Sequence, residues 1–90
     1  MNRNRIGLSR LLLVVAASAL FLLPAFALEH FNSEIEAQHH CPNDTVVWLN
    51  LPTMIWHYRG QRWYGKTRHG AYVCEKEAAV NGARATRNGE

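Results

Sequence analysis

The clearest hydrophobic pattern lies in the middle of the chain. Thr45 to Asn50, TVVWLN, concentrates β-branched and aromatic residues and predicts a strand. Leu51 to Thr53 predicts a turn, since Pro52 has no N–H to give to a ladder. Met54 to Tyr58, MIWHY, alternates Met54, Trp56 and Tyr58 against Ile55 and His57, which predicts a second strand paired with the first as a hairpin. From Arg59 to Gly70 the apolar pattern stops, and Gly60, Gly65 and Gly70 mark a loop whose glycines serve turns with positive φ. Ala71 to Val73 predicts a short third strand. Cys74 to Asn81, CEKEAAVN, predicts a short helix with acids in its first turn and Gly82 as its stop.

The flanks are weaker. Leu28 to His40 places Phe31 and Ile35 one helical turn apart but holds little else apolar, so a flexible acidic arm over residues 28–40 with no more than nascent helix is expected. Cys41 to Asp44, CPND, reads as a turn, and Arg84 to Glu90 as a frayed tail. The expected fold is α+β: a small two- or three-stranded antiparallel hairpin sheet, a glycine-rich loop and one short helix.

The first residues change the meaning of the composition. Arg3, Arg5 and Arg10 precede an apolar run from Leu11 to Leu23, then Pro24 and Ala25-Phe26-Ala27. That layout is a secretory signal peptide over residues 1–27, the run being shorter than the about 20 apolar residues a span needs. Cleavage after Ala27 leaves no membrane span and sends the remainder to the periplasm or the exterior. Residues 28–90 hold all seven acids and seven of the ten Lys/Arg, so the net charge of +3 belongs to the leader. A globally basic, nucleic-acid-binding chain is therefore not implied. The charges are instead segregated: Glu29, Glu34, Glu36 and Asp44 precede Arg59, Arg62, Lys66 and Arg68, with no opposite charge inside either block. The acidic arm either folds over the basic segment or leaves it free.

The two cysteines, Cys41 and Cys74, are decisive at this size. A domain this small has a marginal core and relies on a staple. In an oxidising compartment one intramolecular disulfide is available to them, and a thiolate metal site is the rival.

Val47-Trp48-Leu49-Asn50, Trp56-His57 with Gly60, Tyr64-Gly65-Lys66-Thr67, Gly70 with Tyr72, Glu75 with Glu77-Ala78, and Gly82 with Arg84 together resemble a family of very small bacterial domains. These are the Ada-like metal-binding domains and the single-domain secreted "sunset" proteins. The resemblance covers Cys41 to Arg87 and implies one domain over residues 41–87 with a tail at 88–90. In the Ada-type relatives four cysteines hold zinc. The matching positions here fall near His57, Arg62, Thr86 and Gly89, three of which supply no ligand, so that site does not carry over. Cys41 and Cys74 match the secreted relatives instead, where the resemblance implies that a bridge replaces the metal. No cofactor is expected.

Arg59, Arg62, Trp63, Tyr64, Lys66 and Arg68 form the candidate ligand surface. Cations follow phosphates and aromatic faces stack on bases, and the same set suits an acidic polysaccharide. A bland reading competes, with the cations as a solvated face and Trp63 and Tyr64 as a lid over the core. Trp48, Trp56, Tyr58 and Tyr72 are assigned to the core, Tyr72 over the bridge. His39 and His40 read as solvated residues. The expected function is thus a secreted, non-catalytic interaction module that binds nucleic acid or an acidic envelope polymer through residues 59–69. The alternative is a zinc-binding domain using Cys41, Cys74 and histidines such as His57 and His69. No serine, threonine or cysteine lies in a nucleophile motif, and a pairing of His57 with Asp44 has no support in the spacing, so an enzyme is not expected.

Overall fold

The computed structural model describes residues 27–90; the leader expected over 1–27 lies outside the described residues except for Ala27. Among the described residues no helix is long and apolar enough to cross a membrane. The elements are α1 (Glu34–His40), β1 (Val46–Asn50), β2 (Ile55–His57), β3 (Gly70–Cys74), α2 (Glu75–Val80) and β4 (Arg84–Ala85). The expected α+β architecture is present, as a four-stranded sheet in the order β3-β1-β2-β4. β1 pairs antiparallel with both β2 and β3, while β4 runs parallel to β2.

Register divides the side chains between two faces. Val47 opposes Val73, and Leu49 opposes both Ala71 and Trp56. These residues, with Ala78 of α2 and Ala83 after it, form the core, against which Leu28, Met54 and Tyr58 pack. Trp48 lies one residue out of phase, opposite His57 and Tyr72. It is therefore buried, as expected, but on the face opposite Trp56, and its ring meets Tyr72 edge-on at 4.9 Å. Tyr72 in turn meets Tyr64 at 5.6 Å. Gly65 has the expected positive φ of 73°. Gly70 is needed for a different reason, since a Cβ there would run into the Trp48 indole.

The segment expected to be a flexible arm is ordered. Phe31 exchanges two backbone hydrogen bonds with Tyr72 at the outer edge of β3 (3.0 and 2.9 Å). Ser33 then caps α1, its hydroxyl accepting from the Glu36 N–H at 3.1 Å. The helix buries only Ala37, but buries it completely. A seven-residue helix is too short to persist on packing of that size alone. What holds it is the Cys41–Cys74 disulfide at its C-terminus, which spans 33 residues of sequence. Gln38 secures the turn beyond, donating to the carbonyls of Cys41 and Asp44, both at 3.0 Å.

Asp44 also serves α2, which begins at Glu75 without a capping side chain of its own. The Asp44 carboxylate accepts from the Lys76 N–H at 3.0 Å, satisfying one of the unpaired donors of that first turn. At the other end Gly82, at φ 91°, closes the helix, with Gly82 N–H bonded to Ala79 and Ala83 N–H to Ala78. The chain expected to fray then returns as β4, where Arg84 and Thr86 donate to the carbonyls of Met54 and Trp56 (3.1 and 3.0 Å).

Removing the bridge with Cys41→Ala/Cys74→Ala should cost about 3–4 kcal/mol of unfolding free energy, measured by urea denaturation, because the unfolded chain regains the freedom of the closed loop. Gly70→Ala should cost about 1–3 kcal/mol in the same assay through overpacking against Trp48.

Candidate functional site

The loop between β2 and β3 is a chain of tight turns. Gln61, Tyr64 and Lys66 donate their backbone N–H groups to the carbonyls of Tyr58, Gln61 and Trp63 respectively, each three residues back. The Gln61 side chain also accepts from the Tyr58 N–H at 2.8 Å. These turns send the six candidate side chains in two directions.

One group faces α1. The Glu34 carboxylate accepts from Tyr64 Oη at 2.5 Å and from Arg59 Nε at 2.8 Å, and pairs with Arg59 Nη2 at 2.5 Å. The Tyr64 hydroxyl and the Arg59 guanidinium hold the Glu34 carboxyl below its ordinary range. Burial, with the Glu34 hydrogen bond second, pushes the Tyr64 phenol well above its ordinary value. The acidic segment thus does fold against the basic one, and it commits Arg59 and Tyr64 to an internal clasp. Tyr58 beside them donates to Glu75, and that hydrogen bond, ahead of burial, raises the Tyr58 phenol above its ordinary value.

The other group faces a groove of about 460 Å³ on the Trp48 side of the sheet. Its floor is Asn50, Ile55 and His57; Trp63, Lys66, Thr67 and Arg68 form one wall and Thr86, Asn88 and Glu90 the other. Trp63 is 38% exposed. It is fixed to the opposite wall by its backbone N–H on the Glu90 carbonyl and its indole N–H on the Glu90 carboxylate, both 3.1 Å. Arg62 lies over the Trp63 ring, 4.9 Å from its centroid. Trp48 donates its indole N–H to Thr67 Oγ1 at 2.8 Å and so anchors the loop to the sheet. Lys66 and Arg68 are exposed, and among the described residues neither has an acid within ion-pair distance. His57 is 7% exposed, and its Nδ1 has no hydrogen-bond partner.

His57 and the wall from Thr86 to Glu90 are absent from the sequence-derived candidate surface. The metal alternative fares differently from the groove. Cys41 and Cys74 are bonded to each other, so neither presents a thiolate while the bridge stands. Among the described residues the potential ligands that converge are His40, Cys74 and Glu77, of which His40 and Glu77 already contact each other at 2.7 Å. His39 and His69 are exposed and belong to no such group. Asp44 is engaged at the start of α2, away from any role with His57. Comparison with protein-family models, curated proteins and solved structures finds no match for this chain.

The clasp carries a pH signature. A carboxyl whose pKa is lowered by folding stabilises above its unfolded value of about 4.3 and loses that contribution as pH falls through the lower folded value. Urea midpoints measured from pH 6 downward should therefore decline in the acid range, and Glu34→Gln should show lower stability at pH 6 with a shallower acid decline.

Proposed function

We propose that this chain is an exported, non-catalytic binding module of the sunset type that engages a polyanion, nucleic acid or an acidic envelope polymer, through the basic and aromatic loop of residues 59–69. The carrying observation is the division within that loop. Arg59 is spent on Glu34, whereas Lys66 and Arg68 line an open groove and, among the described residues, have no acid within ion-pair distance. Two unpaired cations beside an exposed indole suit an extended anion, whose phosphates or carboxylates meet the charges while its rings meet the aromatic face. The Arg62–Trp63 stack extends that face with a third positive charge.

The disulfide supports the export part of this reading, since such bridges persist in oxidising compartments.

Fluorescence anisotropy with labelled single-stranded DNA, duplex DNA and an acidic oligosaccharide tests the proposal. At least one should bind at low salt and weaken steeply as salt rises, and Lys66→Ala/Arg68→Ala should lower the salt slope by about one for each cation that meets the anion. Absence of binding to all three, or binding indifferent to the double variant, would refute it.

A further inference from the structure

The groove lining is more selective than its charge alone requires. Thr67 Oγ1 already accepts the Trp48 indole N–H at 2.8 Å, so the hydroxyl proton of Thr67 is left to donate. Lys66 and Arg68 bring further donors to the same wall. One feature of the lining does not suit an anion that accepts hydrogen bonds and does nothing else: the Glu90 carboxylate lines the wall opposite the cations.

A phosphate monoester answers this feature. Its second pKa, about 6, leaves it able to carry a proton near neutrality, and a protonated oxygen donates to a carboxylate while its remaining oxygens accept from Lys66, Arg68 and Thr67. A sulfate ester or a carboxylate has no proton to offer at that pH and meets Glu90 as a like charge. Trp63, exposed along the same wall, provides a face for a ring carried by the ester. The volume, about 460 Å³, lies within the range of small-molecule sites.

We infer that this groove is a seat for one phosphate monoester, with Lys66, Arg68 and Thr67 donating to its oxygens and Glu90 selecting its protonated form. The inference rests on the polyanion reading and names the group that would anchor it, either the terminal phosphate of a polymer or a free ester.

Calorimetric titration of the purified protein with phenyl phosphate, phenyl sulfate and benzoate tests it. Phenyl phosphate should bind about tenfold or more tighter than the other two, since a site built around a hydrogen bond rejects ligands that lack it. Lys66→Ala/Arg68→Ala should abolish most binding of all three. Glu90→Gln, at a site remote from the core, should narrow the preference for phosphate over sulfate severalfold. Oligonucleotides with and without a terminal phosphate separate the sources: a gain from that phosphate points to a polymer end, equal binding alongside tight phenyl phosphate to a free ester. Equal affinity for phenyl sulfate and phenyl phosphate, or a phosphate preference untouched by Glu90→Gln, overturns the inference. Binding of polymers without phenyl phosphate overturns it while sparing the polyanion reading, and no binding by any anion ends both.

Discussion

The Cys41–Cys74 bond is the constraint on which the rest of the molecule depends. It joins the end of α1 to the residue where β3 becomes α2, so that three elements meet at one covalent point. α1 has one buried residue, Ala37, and seven residues of length, which is too little to hold it on the sheet unaided. Once it is held there, Glu34 stands where it meets Arg59 and Tyr64. That contact fixes the start of the loop, and the Trp48–Thr67 hydrogen bond fixes its end. The groove wall between them is thus positioned by a staple that touches none of its residues.

The sheet serves two purposes on its two faces. One face carries Val47, Leu49, Trp56, Ala71 and Val73 and is closed by α2. The other carries Trp48, Tyr72 and Tyr64 in a row of edge-on rings and continues past His57 into the groove. β1 is consequently buried on both sides from Val46 to Leu49, which is unusual for a sheet this small and explains why its sequence is almost wholly apolar. The clasp with α1 takes up one cation of the basic segment and the groove retains two, so the dipolar charge pattern becomes a division of labour rather than simple neutralisation.

Much of the fold is legible in the residues because it rests on local rules. Period-two alternation marks β2, β-branched content marks β1, and Gly82 marks the end of α2 where the structure closes it with a left-handed residue. The elements that escape are those whose stability is not local. α1 has few apolar residues to announce it, although Ser33 followed three residues on by Glu36 is a capping signal that a count of apolar residues overlooks. β4 is two residues long and is held by backbone bonds to β2, for which Arg84-Ala85 carries no side-chain pattern. Alternation within each strand gives the parity of Trp48 and of Trp56 separately, but only the pairing register reveals that they point to opposite faces. The same limit applies to the groove. Its cations and Trp63 stand out in the chain, whereas His57 and the wall from Thr86 to Glu90 join them only through β2 and β4 pairing.

Amide hydrogen exchange on the oxidised and the reduced protein addresses the role of the bridge most directly. If the bond seats α1, reduction should erase protection of the amides from Ala37 to Cys41 and of Phe31 and Tyr72, and the Tyr64 and Lys66 amides of the loop should follow. Unchanged protection across α1 and the loop after reduction would contradict the account, because the helix and the groove wall would then be held by packing alone.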